Sequence, residues 1–160
     1  MTGRREAVVA APFGSVAVET RGDRLTALHL LPARSPTEAT SPLAVAVKEQ
    51  LERYFEDPND PFDLPLEIVG SPFQRRVWAA IAAIPRGQTR RYGDLAAELA
   101  APARAVGQAC GDNRLPLVIP CHRVIGATGI GGFAHSRGGF ALTVKRWLLE
   151  HEGALVGSLL

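Results

Sequence analysis

Apolar and polar residues alternate along the first part of the chain as they do in a small antiparallel sheet. Three runs separated by glycine-containing turns predict strands at Ala7–Ala11, Ser15–Thr20 and Leu25–Leu31. From Pro42 the apolar residues recur at helical spacing instead, with Ser41 in position to cap the helix, and a short extended segment over 64–69 follows. We therefore predict that residues 1–70 form a small N-terminal cap domain.

Proline and glycine divide the rest of the sequence into helical segments. Ser71-Pro72 is a typical helix start, and the apolar stripe that follows ends at Pro85-Arg86-Gly87. Thr89 is positioned to cap a short helix over about 91–99, and another helix begins near Ala103. Two short helices around a tight break have the pattern of a helix-turn-helix.

The C-terminal stretch contains an apolar run, a glycine-rich loop and a last helix. The run 117–119 leads into Pro120-Cys121-His122-Arg123, where we expect extended backbone with a bend at the proline. A final amphipathic helix carries Val144, Trp147 and Leu148. The predicted fold class is thus α/β in its α+β form: an N-terminal antiparallel-sheet cap over 1–70 and a helical C-terminal domain over 71–160.

Composition and cysteine content narrow the class of protein. Hydrophobic residues make up 46% of the chain and charged residues 21%, which is ordinary for a globular protein. No apolar run is long enough to span a bilayer, and no signal-peptide core follows the first residues. Together with two cysteines in 160 residues, these features predict a cytoplasmic protein without a disulfide framework.

Charge is distributed unevenly between the two predicted domains. Residues 1–70 carry seven Lys/Arg and eleven Asp/Glu, whereas residues 71–160 carry eleven and five. The net positive charge of residues 71–160 is compatible with binding to the phosphate backbone of a nucleic acid. An ordinary solvent-exposed basic surface would have the same charge. Arg104 in the first turn of the second short helix favours nucleic acid, because small side chains around it would let backbone N–H groups reach a phosphate.

Cys121 is the strongest candidate for chemistry. A cysteine at a rigid bend after Pro120 can face a pocket as a nucleophile, or it can be a buried small hydrophobe. His122 is adjacent, and neighbours in extended backbone point to opposite sides, so a relay through water fits better than a direct pair. A histidine in such a relay needs a carboxylate to orient it, and Glu152 is the candidate.

The sequence predicts neither a metal nor a cofactor. Cys110, Cys121, His122 and His135 do not show the paired spacing of zinc ligands. The glycines between 126 and 139 do not complete a dinucleotide fingerprint, and we interpret them as a flexible pocket wall.

Several motifs in order resemble the methylated-DNA–protein-cysteine methyltransferases, also called alkylguanine-DNA alkyltransferases. The resemblance covers 71–153 and rests on Ser71-Pro72-Phe73-Gln74, the run 91–96, Arg104-Ala105-Val106-Gly107, Asn113, Pro120-Cys121-His122-Arg123-Val124 and the run 145–153. It implies a DNA repair protein that transfers an alkyl group from the 6-oxygen of guanine to its own cysteine. Transfer would be stoichiometric and irreversible, after the base is flipped out of the duplex.

The same resemblance implies roles for individual residues. Cys121 would be the alkyl acceptor in an active-site Pro-Cys-His-Arg segment, activated through water by His122 with Glu152 behind it. Asn113 would be a hinge before that segment, and Tyr92 would donate to the guanine ring. The substrate pocket would involve Val124 through its backbone, together with Phe133 and Ala134. DNA contacts would come from Tyr92, Arg104 in the gap left by the flipped base, Ala105, Gly107 and Arg123.

The implied partner is double-stranded DNA containing alkylated guanine, bound by a monomer without a cofactor. Three departures from the family pattern concern DNA binding and specificity: a short break at 100–103, Arg114 in place of the usual proline, and a long loop at 133–144. Two other functions remain open, a non-catalytic sensor of alkylated DNA and a thiol hydrolase. The presence of Cys121 disfavours the sensor, and its adjacency to His122 disfavours the hydrolase.

Overall fold

A computed structural model of the chain describes residues 3–136 and 138–154. The described residues form two compact units. The first ends at Val69 and also contains Arg114–Pro116, and the second comprises Gly70–Asn113 and the residues from Leu117 onward. Among the described residues, no helix has the length and apolar character needed to cross a membrane.

The first unit contains the three predicted strands and the predicted helix. Strands β1 (Arg4–Ala11), β2 (Gly14–Arg21) and β3 (Arg24–Leu31) form an antiparallel sheet in that order. Helix α1 (Pro42–Glu56) begins at Ser41, whose side chain accepts a hydrogen bond from the Ala44 amide at 3.1 Å. Both elements bury β-branched and aliphatic side chains, and the core consists mainly of Val9, Val16, Val18, Leu25, Val47 and Leu51.

A short segment from much later in the chain completes this unit. The Leu28 amide in β3 donates to the carbonyl of Arg114 at 2.9 Å, and the Arg114 guanidinium lies 3.6 Å from the Glu19 carboxylate. Leu115 is buried. The sequence pattern gave no indication of this segment, because a contact across so many residues leaves no local periodicity.

The second unit is mainly helical, as its sequence predicts. It contains α2 (Pro72–Ala82), α3 (Tyr92–Glu98), α4 (Ala103–Gly111) and α5 (Gly139–His151). Ser71 and Gln74 form a reciprocal capping box at the start of α2, with bonds of 3.1 and 2.9 Å. The Trp78 indole donates to the Ala109 carbonyl at 2.8 Å and so joins α2 to α4.

A two-residue parallel pair lies beside the helices. Strand β4 (Arg90–Arg91) precedes α3 and pairs with β5 (Val124–Ile125), which follows the Pro-Cys-His-Arg segment. This pairing places the beginning of α3 beside the end of that segment.

Two local predictions were wrong. Thr89 does not cap α3, because the N-cap is Arg91, two residues later, and it makes no side-chain cap bond. Residues 117–119 form turns instead of a strand, with Leu117 at a φ of 75°. The β-branched composition predicted extended backbone, but the chain makes its bends here before it reaches Pro120.

Candidate active site at Cys121

Cys121 lies at a tight backbone bend. Pro120 has φ −80° and ψ 67°, and the Cys121 amide donates to the Ile119 carbonyl at 2.8 Å, which together make an inverse γ-turn. Cys121–Arg123 then form one turn of 3-10 helix. The rigid bend predicted from the proline is present, although the backbone around it is not extended.

The Cys121 sulfur contacts the Asn113 side chain and the Cys110 backbone. The Asn113 side-chain amide donates to Sγ at 3.0 Å and to the Ile119 carbonyl at 2.8 Å. The Cys121 thiol in turn lies 3.5 Å from the carbonyl of Cys110, to which it can donate. An amide donor directed at sulfur favours the thiolate, because it stabilises the negative charge. Asn113 thus orients Cys121 as well as preceding the segment that carries it.

A cavity of about 540 Å³ opens beside Cys121. One wall is formed by α4 and consists of Ala103, Arg104, Gly107, Gln108, Cys110 and Gly111. The opposite wall is the loop of Gly132, Phe133, Ala134, His135 and Ser136, and Tyr92 also lines the cavity. The structure therefore brings together the thiol and most of the residues that the sequence assigned to DNA contact or to the pocket.

His122 and Glu152 are paired in the interior. Their side chains are 1% and 0% exposed, and His122 Nε2 lies 2.9 Å from a Glu152 carboxylate oxygen. Because the carboxylate can only accept, we assign the proton to Nε2. Burial lowers the pKa of His122, although Glu152 acts in the opposite direction. A neutral imidazole in this tautomer leaves the lone pair on Nδ1, which is buried and has no hydrogen-bond partner among the described residues.

Arg123 requires a correction. Its guanidinium donates to both Glu152 carboxylate oxygens, at 2.9 and 3.0 Å, and to the Ile84 carbonyl at 2.7 Å. The residue is 7% exposed. A guanidinium with these buried partners is not presented to a phosphate, so the expected DNA contact is replaced by a structural role. Arg123 neutralises the Glu152 carboxylate that orients His122.

The two neighbouring thiols, Cys110 and Cys121, titrate as a pair. The hydrogen bond with Cys121 lowers the pKa of Cys110, whereas the same hydrogen bond, followed by burial and by the charge of Cys110, raises the pKa of Cys121 well above its usual value. Lys145 favours the thiolate at either sulfur through its positive charge. At Cys121 the hydrogen bond from Asn113 and the charge of Lys145 act in the opposite direction and favour the thiolate.

Lys145 is the functional residue that sequence reasoning missed. It is completely buried, and Nζ donates to the carbonyls of Val124 and Gly132 at 2.7 and 2.8 Å. Burial lowers the pKa of Lys145 to about 8. A signal was available, because a lysine at 145 lies between Val144 and Leu148 on the apolar stripe of α5.

Tyr92 and Lys145 share the Gly132 carbonyl as a hydrogen-bond acceptor. The Tyr92 hydroxyl donates to the Gly132 carbonyl at 3.2 Å, and the Lys145 ammonium lies 5.7 Å from the centre of the Tyr92 ring. Burial is the main cause of a raised pKa for Tyr92. The phenol therefore stays protonated and can act as a donor. Val124 offers only its backbone, because its side chain is fully buried.

The predicted DNA contacts on α4 differ in position. Arg104 is exposed and lines the cavity, as does Gly107, whose missing Cβ would meet open space. Ala105 is half-buried and is not part of the cavity wall. The described part of the chain contains no group of three His, Cys, Asp or Glu side chains that could hold a metal ion.

Comparison with known proteins identifies the family. A family model described as the 6-O-methylguanine DNA methyltransferase DNA binding domain matches residues 72–154. A methylated-DNA–protein-cysteine methyltransferase of Mycolicibacterium paratuberculosis is 46% identical over 129 residues, which are 76% of this chain and 78% of the relative. The constitutive methyltransferase of Bacillus subtilis is 37% identical over 153 residues, covering 88% and 90% of the two chains.

Solved structures agree with the sequence relatives. The crystal structure of the Mycobacterium tuberculosis O6-methylguanine methyltransferase matches with a TM-score of 0.74 at 35% identity, covering 92% of this chain and 91% of that one. The structure of Mycobacterium tuberculosis OGT in complex with DNA matches with the same TM-score, 0.74, at 39% identity. The chain therefore belongs to the 6-O-methylguanine DNA methyltransferase family.

Proposed function

We propose that this protein repairs DNA by transferring an alkyl group, in the simplest case methyl, from the 6-oxygen of guanine to Sγ of Cys121. The observation that carries the proposal is the position of Cys121 on the wall of a 540 Å³ cavity, with Asn113 donating to its sulfur. The methyltransferase names of the relatives agree with this chemistry.

The transfer is a single displacement at carbon. The Cys121 thiolate forms the S–C bond while the C–O bond breaks, and the electron pair of that bond stays on the guanine oxygen. The thiol proton leaves through a water molecule to Nδ1 of His122, the buried atom for which the described residues offer no partner. The Glu152 carboxylate, 2.9 Å from Nε2, then stabilises the imidazolium that forms.

The flipped guanine is contacted by Tyr92, by the Val124 backbone and by the loop residues Phe133 and Ala134. Tyr92, which remains protonated, donates to the guanine ring as the ring acquires negative charge. The Val124 backbone contacts the exocyclic amine, and Phe133 and Ala134 contact the base from the loop. Over the whole reaction the Cys121 thiol loses one proton and the guanine gains one, so protons are conserved.

DNA binding involves α4 and requires a flipped base. A guanine in a duplex cannot reach a sulfur that is 4% exposed, so the base must leave the stack. Arg104, exposed at the cavity mouth, fills the gap, and the small residues Ala105 and Gly107 allow the backbone to approach the duplex. In this proposal residues 71–160 form the DNA-binding and acceptor domain, 1–70 form the cap, and the protein acts as a monomer in the cytoplasm.

Intact-protein mass spectrometry tests this function directly. The protein is incubated with an oligonucleotide that carries one O6-methylguanine, and with the unmodified oligonucleotide as control. We expect the mass of one methyl group per chain, on the peptide containing Cys121 and absent from Cys110, with no further turnover. A thioether has no acidic proton and a poor leaving group, so nothing regenerates the thiol. Multiple turnovers, or labelling that persists in Cys121→Ser, would contradict the proposal.

A further inference from the structure

The two walls of the Cys121 cavity are joined by a side-chain hydrogen bond. Nε2 of His135, on the loop wall, lies 2.9 Å from a carboxylate oxygen of Asp112, the residue that caps α4. The other oxygen of Asp112 accepts from the Gln74 side chain at 3.1 Å, and Gln74 is itself fixed by the capping box of α2. The position of the loop wall relative to α4 is thus set through His135, Asp112 and Gln74.

The backbone presents His135 in a conformation that its residues do not favour. Phe133 and Ser136 exchange two hydrogen bonds of 2.8 Å, and Ala134 and His135 between them have φ values of 50° and 63°. Positive φ at both central residues is the geometry of a type I′ turn, for which Asn-Gly is preferred. Alanine is unfavourable as the first central residue of such a turn, so the turn needs stabilising contacts from elsewhere in the structure. The hydrogen bond between His135 and Asp112 is one such contact.

Gly111 allows the close approach of the two walls. A Cβ at this position would overlap the imidazole ring of His135, including Cε1 and Nδ1. The glycine lies at the end of α4, where its backbone is helical, so the turn itself does not require it. The absent side chain is instead the space that the His135 ring occupies.

We propose that His135, held against Asp112 and over Gly111, sets the width of the cavity and is a specificity-determining residue for the size of the alkyl group. The inference rests on the proposed transfer to Cys121. Gly111, His135 and Cys121 all line the same cavity, so the wall spacing defines the room beside the sulfur. With the pair intact the site prefers methyl over bulky groups, and separation of the walls relaxes that preference.

Single-turnover rates on two oligonucleotides test the inference. The duplexes differ only in carrying O6-methylguanine or O6-benzylguanine, so the benzyl-to-methyl ratio of rate constants cancels effects on DNA binding. His135→Gly removes the ring and suits positive φ. Gly111→Ala places a methyl group where the His135 ring lies and so displaces the ring, while alanine favours the helical backbone of α4. Asp112→Asn weakens the bond, and Asp94→Asn on the exposed surface of α3 is the control for the same change in charge.

The expected ratio rises by about tenfold in His135→Gly and in Gly111→Ala, the lower end of what pocket sterics discriminate. Asp112→Asn raises it less, and Asp94→Asn leaves it unchanged. Adding Gly111→Ala to His135→Gly produces no further rise, because the alanine methyl group then has no ring to displace. Normal methyl transfer with unchanged ratios in His135→Gly and Gly111→Ala overturns this inference alone. A wild-type protein that transfers neither group overturns the proposed function, and the inference with it.

Discussion

At the residue scale, the buried carboxylate of Glu152 pairs with both His122 and Arg123. It accepts from His122 and from two nitrogens of Arg123, and its side chain is fully buried. Glu152→Gln leaves the Arg123 charge buried without its counter-ion, so we expect the free energy of unfolding to fall by about 3–5 kcal/mol. Alkyl transfer should also slow, because the imidazole loses its orienting charge.

Urea unfolding and the rate of methyl transfer measure the two effects. Glu150→Gln is the matched control, since Glu150 is exposed on the same helix. A Glu152→Gln protein with wild-type stability would show that the carboxylate is dispensable to the fold, and one with the wild-type rate would exclude the relay through His122.

Lys145 should give stability a distinctive pH dependence. Its pKa falls from 10.5 to about 8 on folding because the ammonium is buried. Between these values the unfolded chain binds more protons than the folded one, so stability rises as the pH increases through this window. The gain is complete near pH 10.5 and amounts to about 3 kcal/mol.

The comparison of wild type with Lys145→Met isolates this contribution. The difference between their free energies of unfolding should increase from pH 8 towards pH 10.5 in favour of wild type, as measured by urea unfolding at several pH values. A constant difference would mean that Lys145 folds with its ordinary proton affinity.

At the same scale, sequence alone could identify the reactive group and not all of its environment. Cys121 and His122 directly follow Pro120 in a motif, and Glu152 is inferred from the need to orient an imidazole. The position of Lys145 on an apolar stripe indicates its burial, but the partners of Lys145 and Arg123 could not be assigned in this way. They depend on which carbonyls and carboxylates the fold brings near these side chains. The resemblance to the family placed Arg123 on DNA, but charged residues are usually exposed and this one is buried.

At the scale of elements, helix α4 is the one that we expect to contact DNA, and Arg104 tests this expectation. Arg104→Ala should slow repair of alkylated guanine more than it weakens binding to undamaged duplex, because the proposed role is to replace the flipped base. Single-turnover repair and fluorescence anisotropy measure the two quantities. Arg146→Ala, which removes an exposed charge from α5, is the control. Weaker binding to every duplex with a normal repair rate would reassign Arg104 to a phosphate contact.

Element prediction succeeded where local chemistry determines the structure. Serine and proline at the start of α2, and apolar runs bounded by glycine-containing turns in β1–β3, are sufficient to define those elements. It failed at 117–119, where β-branched residues lie in turns and Leu117 has positive φ. Those turns are held by contacts such as the Asn113 bond to the Ile119 carbonyl, which periodicity cannot reveal.

For the whole molecule, the proposed division at residue 70 has one exception with a measurable effect. Leu115 is buried and belongs to the first unit, although it lies far along the chain. Leu115→Ala should lower the free energy of unfolding by about 2–5 kcal/mol. It should also reduce the hydrogen-exchange protection of the Leu28 amide, which donates to Arg114. Val69→Ala, at a side chain that is 67% exposed, should change neither. Full protection of Leu28 in Leu115→Ala would show that the sheet does not depend on this segment.

The bond from Leu28 to Arg114 also has a consequence during synthesis on the ribosome. Strand β3 is an edge of the sheet, and this amide of the edge has no native acceptor until residue 114 is translated. At about 5–20 residues per second, the nascent sheet waits roughly 4–17 seconds for that partner. The edge at Leu25 pairs with 65–67, but the edge at Leu28 lacks its partner during this interval and can associate with another chain. The first unit to emerge is therefore among the last to be completed, and slow translation across 32–114 should increase the need for a chaperone.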